Sequence, residues 1–315
     1  MEGNVENINV RTLYLGYSDG DYAKSLSFYG VPRYLEHSKG WLLERRISNS
    51  DKHSDAMGIY PYFSCFNWNA LTDDVDLLRN EGFVSLVMVT DPMHSVKAEA
   101  QHDLFDTSRL FKMSFVAELN GSLEKCVSKH HRYYAAKASK KLEVKVLAAP
   151  LEDLEGWYGL YSNLIHRHTI TGVRRFSKES FSLLFQMPGV FLFTAYLSNM
   201  LVGAQIMILQ DDVAYAHLSA FTEEGYVLGA SYLLDWATLE FMQGKVRAIN
   251  WGSGLGGSDG TIGGLADYKK GWSSTLKPSY LYGSILNRNL YTKLMNKSNA
   301  VNSAYFPGYR HNESF

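Results

Sequence analysis

Residues 190–251 leave little freedom in what this chain can become. VFLFTAYLS (190–198), LVGAQIMILQ (201–210) and VAYAHLSAF (213–221) are three apolar runs of strand length. Their connections, near Asn199 and at Asp211–Asp212, are so short that the strands should pair as an antiparallel meander. SYLLDWATLEFMQ (231–243) follows, apolar on nearly every side, as a buried helix is. Ser231 is placed to cap its start and Gly244 to end it. VRAINW (246–251) reads as one more strand.

The rest of the chain uses the same alphabet. Leu154, Trp157, Tyr158, Tyr161, Leu164 and Ile165 mark one face of a helix over 151–168. Ser177 can cap a second helix, which Pro188 and Gly189 end. In the first half, WLLERRIS (41–48), FVSLVMVTD (83–91) and LFKMSFVAEL (110–119) look like strands. A helix over 121–141 precedes another strand, LEVKVLAAP (142–150). Pro150 with Glu152 and Asp153 marks a boundary, giving an N-terminal domain over 1–150 and a C-terminal one over 151–286. PSYLYGSIL (278–286) reads as the last strand. The tail, 287–315, contains AYFPGYR (304–310), too aromatic to be left in water, and is expected to pack back on the N-terminal domain.

Composition excludes several classes. With 315 residues and a net charge of −1, nothing draws the chain as a whole to DNA. Its two cysteines, Cys65 and Cys126, form no C-x-x-C, which argues against a disulfide framework and a cysteine zinc site. His130 and His131 have no partners at metal-ligand spacing, so no metal is expected. No window approaches 18 apolar residues, and the polar, acidic start does not read as a signal peptide. The expectation is a cytoplasmic protein with no membrane span.

The glycine run NWGSGLGGSDGTIGGLADYKKGW (250–272) is the most conspicuous local feature. Gly252, Gly254 and Gly257 match G-x-G-x-x-G, but near the C-terminus and with no uninterrupted helix to follow. No triphosphate-binding G-x-x-x-x-G-K-[ST] is present. The glycines are expected to let the chain turn tightly after a core strand and deliver ADYKKGW across a site.

At this point the residues carry a resemblance. The core of 190–251 resembles the acyltransferase core of the GNAT superfamily. The run ending in LADYKKGW resembles the "G…L..FK.GF" signature of its FemABX-like branch. KHHRYYAAKASKKLEVKV (129–146) resembles that branch's basic helix and strand, and IHRHTITGV (165–173) and AYFPGYR resemble motifs recurrent among its uncharacterised members. The likeness covers most of residues 60–310. It implies an α+β protein of two tandem GNAT-like domains, each a mixed, largely antiparallel sheet flanked by helices. It also implies transfer of an acyl group to an amine, such as that of an envelope-glycan or nucleotide-sugar precursor. Acyl-CoA is the implied co-substrate, with no permanently bound cofactor; the alternatives are aminoacyl-tRNA as donor, or a GNAT-fold binding protein that is not catalytic.

The resemblance assigns roles. The donor's phosphates would rest on backbone N–H groups at Gly229, Ala230 and Ser231, the start of a helix. The usual Arg/Gln-x-x-G-x-Gly/Ala is here Tyr226-x-x-Gly229-x-Ser231, without the cationic or amide residue. In VAYAHLSA, alternation puts Tyr215, His217 and Ser219 on one face, which could line an acceptor site with His217 as base or proton relay; a hydrogen-bonded core histidine is the plainer reading. His166, Arg167 and His168 could read an anionic acceptor, as could Arg132 within the basic segment Lys129, Lys137, Lys140 and Lys141. Tyr268–Lys269 takes the place of the family's Phe–Lys pair, with Tyr268 against the acceptor and Lys269 as a point charge for the transition state. Lys270, turned about 100° away on a helix, is the weaker candidate.

Overall fold

A computed structural model describes residues 13–48, 50–94, 104–254, 263–273, 275–298 and 305–312. Most of the glycine run, 255–262, lies outside the described residues. In chain order the first elements are α1 (Gly20–Ser25), β1 (Val31–Leu35), β2 (Gly40–Ile47), β3 (Ser50–Gly58), α2 (Leu71–Asn80) and β4 (Ser85–Val89). Then come β5 (Thr107–Glu118), α3 (Leu123–Cys126), α4 (Lys129–Ala138), β6 (Glu143–Ala148), α5 (Leu154–His168) and α6 (Lys178–Leu184). The meander is β7 (Val190–Leu197), β8 (Met200–Gln210) and β9 (Val213–Phe221). After it follow α7 (Glu223–Leu228), α8 (Ala230–Met242), β10 (Ala248–Asn250), α9 (Gly264–Lys270), β11 (Thr275–Ile285) and α10 (Arg288–Lys297).

These elements form two compact units, neither of them one continuous stretch of chain. One comprises 1–16, 112–170 and 181–278; the other comprises 17–111, 171–180 and 279–315. In the first, the strand order is β5-β10-β9-β8-β7-β6, antiparallel throughout except for the parallel pair β10–β9. In the second it is β1-β2-β3-β4-β11, antiparallel except for β3–β4. In each unit the strands are thus mixed and largely antiparallel, with helices packed on them: an α+β fold.

The first unit holds the larger core. Phe191, Phe193, Met207, Leu209 and Ala214 from the sheet pack with Leu233, Leu234, Leu239 and Met242 of α8 and Ala135 and Ala138 of α4. On α5, Trp157 and Tyr161 are fully buried, and both lie edge-on to Phe181. In the second unit, α2 turns Leu71, Val75 and Leu78 inward, the i, i+4, i+7 stripe of an amphipathic helix, against Leu42, Ala56 and Leu86. At the far end of the chain, the Tyr309 hydroxyl donates to Asp55 on β3.

Three local expectations need correction. The helix over 121–141 is two helices, because Ser128 adopts φ −60, ψ 147 and caps α4 by accepting from the His131 N–H at 3.2 Å. The buried helix is not capped by Ser231: its N-cap is Gly229, and the short helix α7 precedes it. The alternation along β9 breaks at His217. Leu218 pairs with Ile206 and Ala216 with Met207, so His217 is the extra residue of a bulge. Ser219, opposite Gln205, therefore shares the face of Ala214 and Ala216, while Tyr215, opposite Ile208, lies on the other.

Candidate active site on helices α8 and α9

Helix α8 buries an acid. Asp235 is 6% exposed among Leu233, Leu234 and Leu239. Burial pushes its carboxyl up to about 7; hydrogen bonds from Tyr268 and Gln205 and the charge of Lys269 oppose that shift without cancelling it. The Tyr268 hydroxyl donates to Oδ2 at 2.7 Å and is itself hydrogen-bonded to Ser231, one turn earlier on α8. Gln205 comes from β8, on the face turned towards α8.

Helix α9 delivers Tyr268 and Lys269 and is pinned at its C-terminal end. Its last turn leads to Trp272, fully buried, whose carbonyl accepts from the Trp251 indole at 3.1 Å. The Lys269 amine donates to the carbonyls of Trp251 at 2.5 Å and Ser253 at 2.8 Å. Those carbonyls converge because Gly252, between them, sits at φ +73, a conformation that favours glycine. Its N–H is held by Asn250 Oδ1 at 2.8 Å. Burial lowers the Lys269 pKa to about 8, with Asp235 raising and Lys112 lowering it. Lys270 is exposed.

Behind α9 stands His131 of α4. Its Nε2 donates to the Tyr268 carbonyl at 2.8 Å, which fixes the other nitrogen, Nδ1, as acceptor from the Ser128 hydroxyl at 2.8 Å. Burial lowers its pKa, the Tyr268 carbonyl opposing and His130 assisting, so the ring is held neutral. The ring lies edge-on to Trp272 at 4.8 Å and packs on Tyr232 at 5.1 Å. Gly271 is glycine because of this ring: a Cβ there would stand 2.1 Å from His131 Cε1. The G-W after the two lysines therefore seats α9 on α4.

Of the residues singled out from the sequence, Tyr268, Lys269 and Ser231 come together here. Gly229 closes α7 and opens α8 at φ +77. The Ala230 side chain is fully buried in the core. Tyr215 is buried on its own face of β9. His217 is partly buried, and burial pushes its imidazole down to about 3. Arg132 is partly buried on α4, one residue from His131, and its Nε has no hydrogen-bond partner among the described residues. His166, Arg167 and His168 are exposed at the end of α5. Arg167 reaches Glu223 at 3.4 Å and lies 5.5 Å over the Tyr226 ring, next to the start of α8. Among the described residues, no group of three or more His, Cys, Asp or Glu side chains is placed to hold a metal ion.

Asp235, Gln205 and His131 were not singled out from the sequence. The signal for the first two was present: a carboxylate inside SYLLDWATL and an amide inside LVGAQIMIL are polar groups in runs that must be buried, and such groups need partners.

The arrangement offers a carboxyl pushed up to about 7, an amine lowered to about 8, and a tyrosine hydroxyl that bonds the carboxyl beside a helix start. Residues 127–270, which contain all of it, match the family of acetyltransferase (GNAT) domains. That is a likeness to acetyltransferase domains of the GNAT type over those residues. Across most of its length the chain shares the fold of FemX. It superimposes on FemX with a TM-score of 0.65 at 13% identity, covering 87% of this chain and 93% of that one. The L-PGS of Bacillus licheniformis gives 0.60 at 12%, covering 90% and 96%. The C-terminal domain of a putative lysylphosphatidylglycerol synthetase from Agrobacterium fabrum gives 0.60 at 10%, covering 87% and 89%. No curated protein matches the sequence. No helix among the described residues is long and apolar enough to cross a membrane.

Proposed function

We propose that this protein transfers an acyl group to the amino group of a small acceptor, with Asp235 as the general base and Lys269 as a fixed positive charge. The observation that carries the reading is the Asp235 carboxyl, poised near pH 7 and hydrogen-bonded to Tyr268 beside Lys269. The acceptor nitrogen attacks the donor's acyl carbonyl; the C–N bond forms as the bond to the leaving sulfur or oxygen breaks. The proton lost by nitrogen passes through the Tyr268 hydroxyl to Asp235 and on to the leaving group. Lys269 opposes the negative charge that develops on the carbonyl oxygen. His217, with its pKa near 3, is too weak a base for this step.

The donor's phosphates lie at the first turn of α8, at Gly229, Ala230 and Ser231. Tyr226 lacks a positive charge, but the Arg167 guanidinium over its ring supplies one beside that turn. Acyl-CoA is the donor on this reading. The fold likeness to proteins named for lysylphosphatidylglycerol synthesis favours a second donor, an aminoacyl-tRNA. An envelope-precursor amine as acceptor, and the cytoplasm as the place of reaction, rest on the family resemblance. Thermal-shift titration with CoA, acetyl-CoA and charged tRNA separates the readings. A saturable shift with CoA supports the first, a shift with charged tRNA alone supports the second, and no response to any of them contradicts both.

A further inference from the structure

In the unit that contains the meander, helices α4 and α8 bring four aromatic rings together. Tyr232, in the first turn of α8, stacks on Tyr134 of α4, with ring centroids 5.2 Å apart and planes at 28°. His130, one turn earlier on α4, lies 4.6 Å from Tyr134. Tyr133 meets Tyr134 at 87° with centroids 5.4 Å apart, so these two rings form a corner. The corner is open to solvent: Tyr133 is 63% exposed and Tyr134 37%. A flat base laid along one of the two rings meets the other edge-on, and both are arrangements that aromatic groups prefer.

The corner adjoins the helix start assigned above to the donor's phosphates. A Cβ at Gly229 would stand 3.6 Å from the Ala138 Cβ and 3.9 Å from the Tyr232 ring, so the end of α4 borders the first turn of α8. Lys137, next to Ala138, holds its ammonium 6.0 Å over the Tyr134 ring and is exposed. In acyl-CoA the pyrophosphate continues into an adenosine whose ribose carries a further phosphate. With the pyrophosphate on α8, the neighbouring surface has what those two remaining groups need. Rings offer a stacking face to the purine, and an ammonium on a flexible stem meets the ribose phosphate. Large exposed aromatic side chains in one patch are otherwise costly to leave in water.

We propose that Tyr133 and Tyr134 hold the adenine ring of acyl-CoA and that Lys137 pairs with its ribose phosphate. This rests on acyl-CoA being the donor bound at Gly229, Ala230 and Ser231. The test is calorimetry on the full chain with three probes: CoA, dephospho-CoA, which lacks the ribose phosphate, and phosphopantetheine, which lacks the adenine nucleotide. Wild type should bind CoA most tightly and phosphopantetheine least. Tyr133→Ala and Tyr134→Ala should each weaken CoA about tenfold and leave phosphopantetheine unchanged, a split that general loss of structure does not produce. Tyr133→Phe and Tyr134→Phe, which keep the rings, should bind CoA like wild type. Lys137→Ala should weaken CoA but not dephospho-CoA. Equal CoA binding by wild type and both alanine variants at the tyrosines, or equal losses for CoA and phosphopantetheine, overturns the platform and leaves the donor reading standing. No binding of CoA by wild type, whether or not an RNA ending in CCA binds, overturns the donor reading and the platform together.

Discussion

The Tyr268 hydroxyl donates to the Asp235 carboxylate at 2.7 Å, joining the last turn of α9 to the buried side of α8. The link has a consequence for stability. The folded protein raises the Asp235 pKa from 3.8 to about 7, so between those values the folded state binds more protons than the unfolded one. Asp235 therefore costs stability as pH rises from about 4 to 7, by up to about 4 kcal/mol at about 1.4 kcal/mol per pKa unit. Asp235→Asn should remove that slope. Chemical denaturation of both proteins from pH 4 to 8 checks it: the gap between them should change steadily up to pH 7 and then level off.

Lys269 has the opposite slope. Its folded pKa, lowered to about 8 from 10.5, means that the unfolded chain binds more protons between those values, so stability from this group is regained as pH rises through that window. Lys269→Met should flatten this alkaline limb. It should also lower turnover about a hundredfold, the usual consequence of losing ~3 kcal/mol of transition-state stabilisation. Because the amine holds the carbonyls of Trp251 and Ser253, the variant should be measurably less stable than wild type. Lys270→Met, at an exposed position, should change neither property by much. Parallel rate and melting measurements on the two variants decide this.

Gly271→Ala should destabilise the fold by about 1–3 kcal/mol, because the added methyl meets the His131 ring. His131→Ala in the same chain should recover part of that loss, since the clash disappears with the ring. A double-mutant cycle by denaturant unfolding measures the coupling; additive losses would mean that the two residues do not meet.

Gly229→Val should cost stability as well as donor binding. At φ +77 a β-branched residue is strained by about 1–3 kcal/mol. Donor affinity must therefore be measured on folded material. Gly229→Asn, which tolerates this conformation better, gives the cleaner comparison.

Much of the first unit could be read from residues. The meander 190–221 and the buried helix after it follow from apolar runs and connections too short to allow anything else. The bulge at His217 could not be read, because alternation of residue types carries no register; only the pairing with β8 shows that one residue is extra. The strands β1 and β3 were also missed, since VPRYL and SDKHSDAMG lack an apolar run and are held mainly by pairing with β2 between them. At the site, Tyr268 and Lys269 were legible through a motif. Asp235 was legible only as a carboxylate in a run that must be buried, without its partner 33 residues away, and His131 was not legible, because its importance lies in burial and in a partner 137 residues away.

In the proposed reaction the proton of the acceptor amine passes through Tyr268 to Asp235. The most direct test is amide formation followed by mass spectrometry, from acetyl-CoA and from charged tRNA, across a panel of small amines and a range of pH. Wild type should form an amide with one donor, with a rate that rises through an apparent pKa near 7. Asp235→Asn should lose about two orders of magnitude and the pH dependence with it. Amide formation by Asp235→Asn at the wild-type rate and with the same pH profile, or no amide from either donor, would contradict the account.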